Sequence, residues 1–128
     1  MKITNLRNLQ AHTDWFGVKS KVEVEILDPL PRDHPDCPGG GMAMLYFTME
    51  AGECFPKHLH PNSRIIIIWK GSGSAVVNEE EFPLKELDCF TLPPRTSHTF
   101  RAGPAGLAII SVHSSFIPPE AEEFMELV

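Results

Sequence analysis

Six histidines in 128 residues are the feature of this chain with the most chemical potential, because neutral imidazole is the commonest side-chain metal ligand. His58 and His60 lie two apart in the segment Phe55-Pro56-Lys57-His58-Leu59-His60-Pro61. An extended backbone sends both side chains off the same face. Two imidazoles so placed can converge on one cation at about 2.0–2.1 Å each. Alone the pair is weak, since six histidines yield about 0.3 such pairs by chance. A third imidazole, His98, follows the turn Pro93-Pro94-Arg95-Thr96-Ser97 at the start of a strand, where a neighbouring strand can aim it into the same cavity.

Other residue types add softer candidates. Arg64 would bind a substrate anion if it faced the cavity, but Pro61-Asn62-Ser63 interrupts the strand, so inward and outward orientations both stand. Ser111 and His113 share a strand face opposite Ile110 and Val112, either lining the cavity or facing solvent. Tyr46, with Met44 and Thr48 on its parity, either donates a proton into the barrel or packs its ring. Cys54 precedes the histidine pair and reads most simply as a small buried hydrophobe. His34 and Cys37 have no second ligand pair, and His12 has no assigned role.

Positioning these groups falls to strands. Twelve prolines and nine glycines separate short β-branched stretches. Val22, Val24 and Ile26 alternate with Lys21, Glu23 and Glu25, the period of a strand with one dry face. Residues 28–41 hold four prolines and three consecutive glycines, a long loop that either flaps over a pocket or merely connects to a strand at Met42–Met49. Residues 65–69, four isoleucines and a tryptophan, break the alternation, so both faces must be covered. A second subunit would supply the outer cover, hence an expected homodimer. Gly71-Ser72-Gly73 is expected to turn the chain into a strand at 74–77, and Asn78-Glu79-Glu80-Glu81 reads as a solvated turn. Further strands follow near 89–92, 99–102 and 107–113, making about eight. Ala121, Phe124, Met125 and Val128 recur at helical spacing behind Pro118-Pro119, so a short C-terminal helix is expected.

Composition narrows the partners. A formal charge of −6, with four acids among the last nine residues and no dense Lys/Arg cluster, argues against nucleic acid and anionic membrane surfaces. No apolar run approaches the roughly 18 residues of a membrane span, and no signal-peptide pattern opens the chain. Three cysteines without paired spacing fit free thiols in a reducing cytoplasm. The length suits one domain, 1–128.

The histidines lie within a larger pattern. Gly52-x5-His58-x-His60-x3-Arg64-x6-Gly71 and Leu87-Asp88-x4-Pro93-x-Arg95-x2-His98-x3-Ala102 have the spacing of the two cupin motifs, over roughly residues 42–113. The chain resembles a small single-domain bacterial-type cupin. The resemblance implies an all-β antiparallel jelly-roll barrel, often dimeric, holding a divalent metal by its motif histidines. Arg64 stands where the family usually places a glutamate ligand, and Leu87, Arg95 and Ala102 replace two glycines and an asparagine. The set carried over is therefore three histidines, His58, His60 and His98.

Three neutral imidazoles leave the charge of a divalent ion uncompensated and two or three coordination positions open. An inward Arg64 would add to that charge and favour a small anionic ligand such as a carboxylate or enolate. Iron(II) at such a site points to an oxygenase. Zinc, nickel or manganese points to a redox-neutral cyclase, isomerase or lyase. A non-catalytic binding or sensing barrel is the reading from another class, although no DNA-binding domain accompanies it.

Overall fold

The computed structural model describes residues 3, 5, 6, 11–12, 21–27, 33–36, 40–114 and 125–128, with the backbone alone at 11–12 and 21–27. The described strands are β1 (Ala11–His12), β2 (Lys21–Leu27), β3 (Met42–Met49), β4 (His58–Leu59), β5 (Arg64–Val77), β6 (Glu80–Lys85), β7 (Cys89–Leu92), β8 (His98–Ser114) and β9 (Glu126–Leu127). All their pairings are antiparallel.

Two long strands, β5 and β8, organise the barrel by pairing with each other along most of their length and changing neighbours midway. Residues 64–67 of β5 pair with β7, whereas residues 72–77 pair with β6. Residues 107–114 of β8 pair with β3, which continues to β2 and β1, whereas His98 at its start pairs with β4. One layer is thus β1–β2–β3–β8–β5–β7 and the other β9–β4–β8–β5–β6. This is the expected antiparallel jelly roll, and it is nearly all strand.

The turn expected at 71–73 is a bend instead, and residues 103–106 continue β8. Register shifts between Ile68 and Lys70 and between Gly71 and Gly73 let β5 turn from one layer to the other without leaving the ladder. Gly71 makes the bend: its φ is 81°, and a Cβ there would lie 2.1 Å from the Gly106 carbonyl oxygen. Asn78 and Glu79, with φ of 48° and 70°, form a two-residue hairpin turn, so Glu80 and Glu81 belong to β6. Pro83 is tolerated because β6 is an edge strand.

The core lies between the layers. Ile66, Ile68 and Ile109 are its largest fully buried side chains, each worth about 1.5–3 kcal/mol of burial. Leu45, Phe47 and Phe100 complete its centre. In the first half of β5, residues 64–69, the odd positions face outward: Ile65 and Trp69 remain about two-fifths exposed, the face for which a covering subunit was expected.

The expected C-terminal helix is not confirmed. Ala121 and Phe124 lie outside the described residues, and Glu126–Leu127 is extended, pairing with Leu59 and His58. Most of the 28–41 loop, Cys37 and the side chain of His12 also lie outside them. Among the described residues no helix is long and apolar enough to cross a membrane.

Candidate metal centre

His58 and His98 meet because their strands do. They are direct cross-strand partners of β4 and β8, and their rings lie 4.2 Å apart, centroid to centroid. Two residues along, on the same face, the His60 ring lies 4.8 Å from His58 and 5.3 Å from His98. The turn before β8 is tied to this strand by Arg95, whose backbone N–H donates to the His60 carbonyl at 2.8 Å. Arg95 adopts φ of 57°, and Leu87 adopts 68°. These are the two positions at which the motif resemblance expects glycine, and both take the left-handed backbone that glycine adopts most easily.

All three histidines are buried, and one ring nitrogen from each lies within 4.8 Å of the others. His58 Nδ1–H donates to the Pro56 carbonyl at 2.6 Å, and His98 Nδ1–H to the Thr96 carbonyl at 2.9 Å. A carbonyl only accepts, so each Nδ1 carries the proton and each Nε2 presents a lone pair. Burial pushes His58 down to about 3, aided by His98 and Arg64, and His98 down to about 4, aided by Arg64. At neutral pH both are therefore neutral, the form that coordinates a metal. Around an ion at about 2.1 Å, ligand nitrogens stand roughly 3–3.5 Å apart, so small rotations close the set. The donor set fits a divalent transition metal.

Arg64 faces inward. It opens β5 between Leu92 and His113, is buried, and donates from Nη1 to Ser111 Oγ at 3.2 Å. Burial lowers the guanidinium to about 9, which leaves it charged at neutral pH. Arg64, Ser111 and the three histidines line one cavity of about 40 Å³ whose walls are apolar, including Leu45, Phe47, Phe55 and Phe100. His113 is also interior, with Ser111 on the buried face of β8, while Ile110 and Val112 are half-buried on the other. Burial, then Arg64, lowers its imidazole to about 3, but it does not line the cavity.

Tyr46 is a correction. Leu45 and Phe47 supply the cavity wall from β3, so Tyr46 on the opposite face, half-buried, points away from the barrel interior. Cys54 is an exposed free thiol rather than a buried hydrophobe, and Cys89 is exposed and free as well. Met125, which the C-terminal periodicity marked only as part of an apolar stripe, lines the cavity beside the histidines. Ser111 was legible only as half of a polar pair whose face was open.

Residues 42–126 match the AraC-like ligand-binding domain. The chain belongs to that family. Its barrel is shared by solved structures at low identity. A cupin 2 conserved barrel domain protein from Rhodopseudomonas palustris has a TM-score of 0.64 at 20% identity, covering 86% of this chain and 67% of that one. The polyketide cyclase RemF from Streptomyces resistomycificus gives 0.70 at 15%, covering 96% and 89%. A salicylate 1,2-dioxygenase variant from Pseudoaminobacter salicylatoxidans in complex with gentisate gives 0.64 at 17%, covering 82% of this chain but only 27% of that one. None of the curated proteins matches the chain. As an AraC-like ligand-binding domain on a cupin barrel, the chain carries its three-histidine group where the fold encloses a small-molecule cavity.

Proposed function

We propose that this AraC-like barrel is a metal-dependent enzyme of oxygenase type that acts on a small anionic molecule. The observation that carries the reading is the three buried imidazoles on one cavity, two of them with Nδ1–H tied to carbonyls and Nε2 open. His58, His60 and His98 would hold the ion. Bound iron(II) would supply oxygen chemistry, whereas zinc, nickel or manganese would polarise a carbonyl or stabilise an enolate. Arg64, steadied by Ser111, would hold the substrate's anionic oxygen, and His113 would support the charge of Arg64 from behind by staying neutral. The apolar walls exclude water from the ligand.

Among the described residues lining the cavity there is no carboxylate and no tyrosine. That suits oxygenase chemistry, which would need no protein acid or base beyond the metal site. It also suits the second reading, a non-catalytic binding or sensing barrel, to which the family's ligand-binding character lends weight. The free thiols support a cytoplasmic setting, and the exposed Ile65 and Trp69 support a homodimer.

Anaerobic reconstitution with iron(II) tests this. The expected result is about one metal per chain in the native protein, its loss in His98→Ala, and O2 uptake with carboxylates or diketones. Metal uptake far below that and indifferent to His98→Ala overturns the metal centre. Full metal and tight ligand binding without O2 uptake favours the sensing barrel.

A further inference from the structure

A second and larger cavity, of about 370 Å³, is lined by other residues than the histidine cavity. Its inner wall is Ala75, Val77, Leu84, Phe90 and Leu92, all in or packed against the same core cluster that walls the first. It opens where β6 and β7 diverge, since they pair with different halves of β5 and, among the described residues, not with each other. Phe82, Asp88, Cys89 and Thr91 form its rim. Between the two cavities stands an aromatic partition: Phe100 faces the first and Phe90 the second, with ring centroids 6.4 Å apart. Phe100 in turn lies 5.6 Å from the His98 ring.

The two spaces differ in chemistry. The first holds Arg64 and the three histidines but has room for little more than a head group. The second falls within the roughly 300–1,000 Å³ of ligand sites, yet its one charged lining residue is the acidic Asp88 at the rim. An anion has no partner there, and an apolar body has no room in the first.

We infer that the two cavities are one ligand site and that its ligand is an amphipathic anion. The carboxylate or related head sits with Arg64 and the histidines, and a flexible hydrocarbon body fills the chamber lined by Val77, Leu84, Phe90 and Leu92. Phe90, the half-buried ring of the partition, is the specificity-determining residue, because it and Phe100 must both turn aside for the body to pass. The inference rests on the proposed function for the head group and goes beyond it in assigning the body.

Calorimetric titration of the zinc-loaded protein with acetate, hexanoate and decanoate tests it. Each methylene buried raises affinity about three- to fourfold, so hexanoate is expected to bind on the order of 100-fold more tightly than acetate. Val77→Trp, which fills the chamber, removes that gain. Thr91→Trp narrows the exposed rim without touching the core and also weakens decanoate selectively. Phe90→Ala steepens the chain-length dependence. A flat series, or a gain untouched by both tryptophan variants, overturns the inference while acetate binding leaves the proposed function standing. Decanol binding as tightly as decanoate also overturns it, because the head group would then play no part. Failure to take up zinc overturns the metal reading instead. The same series on the metal-free protein, with Arg64 as the anchor, then decides the chamber.

Discussion

Replacing His113 by leucine isolates what buried neutral histidines do to this fold. The imidazole is pushed from its ordinary 6.5 to about 3, first by burial and then by Arg64. A base whose folded pKa is depressed binds its proton in the unfolded chain first. Its contribution is intact above the unfolded value near 6.5 and is lost as pH falls towards the folded value. Between those limits one such group costs about 1.4 kcal/mol per pH unit, reaching about 2 kcal/mol at pH 5. His58 and His98 shift in the same direction, so in the metal-free protein the three together cost about 6 kcal/mol at pH 5. That is comparable to the whole stability of a small domain, about 5–15 kcal/mol. The assay is urea unfolding followed by tryptophan fluorescence, with a chelator present, at pH 7.5, 6.5, 5.5 and 5.0. His113→Leu keeps an apolar volume but takes up no proton. Its stability should therefore fall less steeply, gaining about 2 kcal/mol on the native protein between pH 7.5 and pH 5. Taking the difference between the two proteins cancels the carboxylates, including Glu79, whose pKa its Lys57 contact lowers at an exposed site. Parallel pH curves for the two proteins would refute the reasoning, since they require His113 to titrate equally in both states.

Other perturbations probe separate parts of the molecule. Leu87→Gly should raise stability by up to about 1 kcal/mol in thermal melts, because Leu87 is 68% exposed and sits at φ 68°, where a side chain is strained; a loss of stability contradicts this. Arg64→Met should weaken acetate binding about 10- to 100-fold by removing a charge-assisted contact, and an unchanged affinity removes Arg64 from the ligand's anchors. Ile65→Asp should shift a dimer to monomer in sedimentation if β5's outer face is the subunit contact, and a native protein that is monomeric at micromolar concentration removes the homodimer.

What could be read in advance follows a physical line. Parity along one strand is local, so the shared face of His58 and His60, and that of Ser111 and His113, were legible from spacing alone. Which face turns inward is a tertiary fact. Tyr46 was placed with Met44 and Thr48 correctly, yet the neighbouring set Ala43, Leu45, Phe47 and Met49 is the uniformly apolar one and takes the core. Glycine clusters were read as chain reversals because a bend and a bulge call for the same residue, and only the β5–β8 register distinguishes them. β9 spans two residues, too few for any period. The histidine triad itself came through the motif, since no local rule makes His98 the partner of His58.

Position 64 was undecidable for a related reason. Pro61-Asn62-Ser63 breaks the parity carried from His60, and the orientation of Arg64 is fixed from outside its own segment, by pairing with Leu92 and His113. Once inward, it changes more than one ligand. A carboxylate there would lower the cavity's charge by one, whereas the guanidinium, still protonated at neutral pH, raises it by one. Two charges of difference in a buried space shared with three imidazoles alter which ligands can enter far more than a change of wall shape does. Arg95, in the turn that presents His98, carries its side chain on left-handed backbone, so that turn is held at a cost in strain. On the proposed function, the buried positive charge of Arg64 is what would select an anion as the ligand.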